Sequence, residues 1–277
     1  MGTGLPVAAP RAERPAASRP RRIVGAAMAL GRGAVSFGAL FAVWYALTAH
    51  GWVRPMALAS PAAVASVLVD GVRDRTLLGH LGVSLSRLVI SMVVAGAAGI
   101  VLGVLVGISR HLALIVEPLA GFFNALSGIV WLPLAITWFG LTWKTVLFVI
   151  GNAIFFTVFF NTLVGVRGVP RLYEQAILTL GASRWRTLRD VLLPGALPGI
   201  VAGIRLGLGF GWRALIAAEL VAVTQGLGFM IFSAANYLRT DIILAGILVI
   251  GGVAVAMDSL ILVPIERATV VRWGLYH

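Results

Sequence analysis

The sequence predicts an all-α, polytopic membrane protein with about six membrane-crossing helices, and three observations carry that expectation. Of its 277 residues, 60% are hydrophobic and only 12% are charged, where a soluble domain has roughly 45–50% and about 25%. The apolar residues gather into runs of about 20, the length that crosses a hydrocarbon core at ~1.5 Å per residue. None of the runs alternates polar and apolar residues as a membrane β-strand does. The chain length allows one membrane domain, residues 33–266, with a tail at either end.

Residues 1–32 form a basic tail. Its first part is rich in Pro, Ala and Arg (Arg11, Arg14, Arg19, Arg21, Arg22) and buries nothing, so it is expected to be disordered. Arg21-Arg22 ahead of an apolar run also fits a twin-arginine export signal. A topogenic tail that keeps the N-terminus inside agrees better with the later loops.

Six apolar segments follow: 33–49, 88–108, 112–139, 145–166, 195–223 and 242–265. The third is interrupted by Pro118 and Pro133 and carries Glu117 near its start. Between the first two, on the outer side, Ser60-Pro61 opens a surface helix over 62–72, and between the last two, 228–238 reads as a second short amphipathic outer piece. Either could meet an external partner or cap the bundle.

The net charge of +12 would suit nucleic acid, but arginine-rich cytoplasmic loops explain it better. With the N-terminus inside, the inner regions hold Arg11, Arg14, Arg19, Arg21, Arg22, Arg32, Arg110, Arg167, Arg171, Arg184, Arg186, Arg189, Arg267 and Arg272. The outer regions hold Arg54, Arg73, Arg75, Arg87, Lys144 and Arg239. Fourteen against six places both termini, including the tail 267–277, in the cytoplasm.

The most informative stretch is the cytoplasmic loop 167–194. Pro170 suits the first position of a helix, Glu174 favours its N-terminal dipole, and Gly181 supplies a left-handed residue to end it. Ser183 caps a second, basic helix that runs to Leu193 and stops at Pro194. A helix-turn-helix could enter a DNA groove, but here it is tethered between two spans, and no nucleic-acid partner is expected. The bland alternative is an amphipathic loop lying on lipid headgroups.

Glu174-Gln175-Ala176, then Gly181, then Val191-Leu192-Leu193-Pro194 resembles the cytoplasmic signature of binding-protein-dependent ABC importer permeases, E-A-A-x3-G-x9-I-x-L-P. Gln175 and Val191 depart from it. Further stretches are similar to the nitrate, taurine and aliphatic-sulfonate permeases: 131–140 (Trp131-Leu132-Pro133 through Trp138-Phe139-Gly140), Gly211-Trp212-Arg213 through Ala217-Ala218-Glu219-Leu220, and 238–248. The resemblance covers about residues 35–273. It implies a type I ABC importer permease in a bacterial inner membrane. Glu174, Gln175, Ala176, Gly181, Ala182, Ser183, Arg184 and Pro194 would then belong to coupling helices seated on a separate ABC ATPase subunit. It further implies an extracytoplasmic solute-binding protein and, in this subfamily, a homodimer of permeases surrounded by lipid.

Nothing in the chain supplies ATP chemistry. A P-loop needs a glycine-rich cradle ending in Lys and Ser/Thr, and the sole lysine, Lys144, follows Trp143. His50, His80, His111 and His277 sit in unrelated contexts, so no catalytic residues, metal site or cofactor are expected. Cysteine is absent, which excludes disulfides and thiolate ligands.

Gly99, Gly103 and Gly107 recur every four residues, as do Gly195, Gly199, Gly203, Gly207 and Gly211. Such stripes let helices approach closely, and plain packing outweighs gating flexibility as their reading. Ionisable residues within spans are costly and therefore pointed; Arg205, Arg213, Glu219 and Asp258 are assigned to the translocation path. At about 100° per residue, Arg213 lies about 80° from Arg205 and Glu219 about −40°, while the glycines from 199 to 211 occupy about 120–240°. Helical rise places Arg205 within reach of Asp258 and leaves Arg213 freer to meet an anionic solute. That all four merely pair among themselves and with carbonyls fits equally well. The rival from another class, a self-contained secondary transporter or channel, would use midplane carboxylates for coupling and need no ATPase; the loop signature argues against it.

Overall fold

A computed structural model describes residues 35–54 and 56–266. The basic tail 1–32 and the C-terminal tail 267–277 fall outside the described residues. The described chain is helical with no strand, and it divides into two units, Met1–Arg54 and Pro55–His277. The first unit contributes one short apolar helix, α1 (Val35–Ala49).

In the second unit Ser60 caps α2 (Pro61–Arg73), its hydroxyl accepting from the Ala63 amide at 3.3 Å. The surface helix is thus where Ser60-Pro61 predicts it. The next helix, α3, departs from expectation. It runs Thr76–Ile108 over 33 residues, beginning well before Leu88. Residues 76–87, read as an outer loop, form its first three turns and carry His80, Ser84 and Arg87 into the fold.

The third apolar segment is a bent pair. α4 (Arg110–Ala125) and the piece from Gly128 to Phe139, a 3₁₀ turn leading into α5 (Leu132–Phe139), meet at 88°. Neither proline makes the bend. Pro118 sits inside α4, and Pro133 lies in the first turn of α5, where its missing N–H would have had no helical partner. The break is at Leu126 and Ser127, both extended.

The core is organised around α6 (Trp143–Arg167), whose Val146, Val149, Ile150, Ile154, Val158 and Phe159 are wholly buried. A helix apolar on every side belongs inside a bundle, and the two glycine stripes bring its neighbours against it. A Cβ at Gly99 or Gly103 would stand 2.8 Å from a carbonyl of α6, that of Phe155 or Phe159. On the other side, a Cβ at Gly199 would lie 2.6 Å from Gly165 Cα, and one at Gly211 2.7 Å from Ile154 Cγ1. Gly203 and Gly207 approach Asn161 and Val158, and Gly107 approaches Val166, in the same way. Both stripes therefore serve close packing on one shared helix.

That second neighbour is α9 (Leu193–Ala222). The short α8 (Arg184–Thr187) leads into it through a π-turn at Leu188–Leu192, so Arg184–Ala222 forms one helical stretch of 39 residues. The second loop helix accordingly does not stop at Pro194. The Leu193 amide reaches back to the Leu188 carbonyl, a wider turn that makes room where a proline ring would strike the preceding turn. The same device recurs after α11 (Thr240–Met257), where a π-turn at Asp258–Leu262 precedes α12 (Val263–Glu266) and its Pro264. Between α9 and α11, α10 (Leu227–Asn236) buries Leu227, Gly228 and Ala234.

Among the described residues, four helices are long and apolar enough to cross a membrane, or five with the bent pair taken as one span, besides the shorter α1.

Candidate functional site

The loop 167–194 builds a helix, a tight turn and a second helix. Pro170 is the residue before α7 (Arg171–Thr179), with an extended ψ of 128°, and not its first helical residue. Gly181 has φ +84°. Its amide donates to the Leu178 carbonyl at 3.0 Å and that of Ala182 to the Ile177 carbonyl at 3.2 Å, the paired bonds of a Schellman turn. Ser183 then caps α8, accepting from the Arg186 amide at 3.3 Å. Four residues separate Ala176 from Gly181, so counting back from Gly181 corrects the register of the signature. Its acidic position falls on Gln175 and its two small positions on Ala176 and Ile177, with Glu174 one residue earlier.

This hairpin leaves large apolar side chains uncovered. Leu172 is 71% exposed, Leu180 86% and Trp185 71%, with Tyr173 beside them. Leu172, Tyr173 and Ala176 share one face of α7 by helical spacing, and Leu180 caps its C-terminal end. Arg171, Arg184, Arg186 and Arg189 are exposed on the same hairpin and the turn that follows it, Arg186 paired with Asp190 at 3.4 Å.

Four carboxylates in or beside the spans are each met by an arginine. Glu117 of α4 is paired with Arg167 at the end of α6. Asp258 Oδ1 lies 3.1 Å from Arg205 Nη2, joining α9 to the π-turn after α11 as helical rise suggests. Arg239 and Asp241 pair locally at 2.7 Å.

The fourth pair corrects a sequence expectation. Glu219 does not face the grooves that Arg205 and Arg213 line; its surface is fully covered. Its Oε1 accepts from Arg87 Nη1 at 2.7 Å, and its Oε2 from Ser84 Oγ at 2.8 Å and the Gly228 amide at 3.1 Å. Arg87 also donates to the Gln225 carbonyl, and Ser84 Oγ accepts from the Leu227 amide. His80 Nδ1 receives the Gly226 amide at 3.1 Å. The cluster ties the α9–α10 connection to α3. Sequence reasoning misses it because Arg87, in a polar stretch ahead of the apolar run, reads as part of a loop.

Two grooves flank the Leu206–Phe210–Arg213 face of α9. One is lined by Arg205, Trp212, Met257 and Asp258. The other, about 670 Å³, lies between the α4–α5 break, the Asn152–Asn161 face of α6 and α9. Arg213 lines both and is exposed. Its guanidinium carbon stands 5.7 Å from the centre of the Phe210 ring, and among the described residues no carboxylate pairs with it.

Comparison with known proteins agrees with this architecture. Residues 99–265 match the family profile of binding-protein-dependent transport system inner membrane components. The chain is 38% identical over 224 residues to the taurine transport system permease protein TauC of Escherichia coli, covering 79% of this chain and 82% of that one. It is 30% identical over 222 residues to the putative aliphatic sulfonates transport permease protein SsuC of Bacillus subtilis, covering 80% of each. The bicarbonate transport system permease protein CmpB of Synechococcus elongatus is 35% identical over 194 residues, 69% of each chain. This chain therefore belongs to the inner membrane component family of binding-protein-dependent transport systems, the multi-pass permease subunits of ABC transporters.

Proposed function

We propose that this permease forms the path by which a small anionic solute, a sulfonate of the taurine kind or a similar oxyanion, is moved inward across a bacterial inner membrane. A separate ATPase subunit seats on the 171–187 hairpin, an extracytoplasmic binding protein delivers the solute, and a second copy of the chain completes the path within the lipid. Both termini lie in the cytoplasm. Moving Arg87 from the outer loop into a span only sharpens the arginine asymmetry behind that orientation.

One observation carries the reading. The hairpin presents Leu172, Leu180 and Trp185 to solvent, and its second helix is continuous with the helix bearing Arg205 and Arg213. Large apolar side chains left exposed on an arginine-rich hairpin suit a protein groove better than water. A partner that grips the hairpin holds one end of a lever, with Arg213 about 40 Å along the same helix. The absence of a phosphate cradle in the sequence agrees with energy arriving from outside. A secondary transporter would need an uncommitted carboxylate in the spans. Glu117, Glu219, Asp241 and Asp258 are instead each held by an arginine.

Proteoliposomes containing the chain, its ATPase subunit and its binding protein test the proposal. Labelled taurine or ethanesulfonate accumulates only when all three proteins and ATP are present. Accumulation by the chain alone, driven by an ion gradient, would contradict it.

A further inference from the structure

The groove between the α4–α5 break and α9 has a composition that a lipid-facing or packing surface has no reason to keep. Its walls include Ser127, Asn152, Asn161 and Arg213. Of these, Asn161 gives one amide proton to the Thr157 carbonyl at 2.8 Å and keeps the other. Asn152 and Ser127 spend no side-chain hydrogen bond on the described residues. No acidic residue lines the groove. Arg213 brings a full positive charge to it, while the arginines that meet carboxylates elsewhere are neutralised by them. An unpaired cation within a span is costly unless water or an anion meets it, and donors without carboxylates favour an anion over a cation or a neutral solute.

The remaining wall is aromatic. Phe156, Phe160 and Phe210 line the same groove, and Phe210 also holds Arg213 from the side. One end of a bound molecule would thus meet N–H groups, and the rest would meet rings.

We infer that this groove is a transit site for an organic oxyanion: a singly charged head such as a sulfonate meets Arg213, Asn152 and Asn161, and a short apolar body lies on the three phenylalanines. The inference rests on the proposed role of the chain as an anion path, but its test reads the groove itself. Because the chain lacks cysteine, Ser127→Cys gives the assembled importer one thiol in this chain at the groove wall, with an ATPase subunit and binding protein also freed of reactive cysteine. Ala125→Cys, another lining position, repeats the measurement should the first disturb the break.

The thiol is modified with 2-sulfonatoethyl methanethiosulfonate and with its trimethylammonium counterpart; each forms a disulfide and releases methanesulfinate. The anionic reagent reacts faster, and Arg213→Gln lowers the anion-to-cation rate ratio by about tenfold or more, the effect of removing one nearby charge from a partly desolvated site. Arg213→Lys keeps the preference, which separates charge from folding. Ethanesulfonate slows the modification and ethyl methyl sulfone, a neutral analogue, does not. A rate ratio indifferent to Arg213→Gln, or equal protection by the sulfone, overturns the site. Should the ratio respond as stated while the importer carries only neutral solutes, the substrate reading fails and the anion site stands. Sulfonate uptake with an indifferent ratio means the reverse: the substrate reading stands and the site fails.

Discussion

Arg87 Nη1 and Glu219 Oε1 lie 2.7 Å apart, linking two helices across 132 residues of sequence. Glu219 is fully buried and the Arg87 side chain nearly so. Removing one partner of such a pair leaves a charge without compensation and typically costs about 3–5 kcal/mol. Arg87→Met should therefore lower the thermal stability of the detergent-purified permease sharply. Glu219→Gln, which still accepts from Ser84 and Gly228, should lower it less, and the double variant Arg87→Met/Glu219→Gln should recover part of the loss. Melting followed by size-exclusion fluorescence distinguishes these outcomes; stability of all three variants equal to that of the unaltered permease would mean that the pair holds nothing.

Close contact between α6 and α9 depends on Gly199, where a Cβ would lie 2.6 Å from Gly165 Cα. Backbone cannot yield as a side chain does, so Gly199→Ala should cost about 1–3 kcal/mol, as overpacking generally does. Gly251→Ala, with nothing within 4 Å of its Cβ, should leave stability unchanged or raise it slightly. The same melting assay reads the contrast.

Much of this packing is legible in the sequence. Four-residue glycine spacing marks both faces that press on α6, and helical rise alone brings Arg205 to Asp258. What escapes is set by tertiary context. Apolar density locates α3 only from Leu88, because Arg87, His80 and the serines of its first turns become tolerable in a helix only once Glu219 and the α9–α10 amides meet them. The bend at Leu126 and Ser127 carries no proline of its own, whereas Pro118 and Pro133 signal breaks that the helices absorb. Pro194 reads as a stop because the π-turn that accommodates it has no sequence signal beyond the proline.

At Gly181 space is not the constraint, since nothing lies within 4 Å of a Cβ there; φ +84° is. Gly181→Val should cost on the order of 1–2 kcal/mol in that conformation, while Gly181→Asn, which tolerates it, should cost less. If the turn must be formed for docking, ATPase association weakens about tenfold for each 1.4 kcal/mol. Membrane insertion should remain normal in both. Co-purification with the ATPase subunit measures the effect, and undiminished association of Gly181→Val would argue against this role for the turn.

Orientation is open to direct test. Ser183 lies exposed at the hairpin and Ser66 exposed on α2. In intact cells an impermeant maleimide should label Ser66→Cys, after crossing any outer membrane, and spare Ser183→Cys until the inner membrane is opened. Labelling of Ser183→Cys in sealed cells would invert the arrangement.

The central claim is that this chain carries solute with energy it does not itself release. ATP hydrolysis is therefore measured for the purified chain in proteoliposomes, first alone and then after adding the ATPase subunit. The account predicts no hydrolysis by the chain alone and hydrolysis stimulated by the solute-loaded binding protein once the ATPase subunit is present. Hydrolysis by a preparation proven free of ATPase subunits would contradict it.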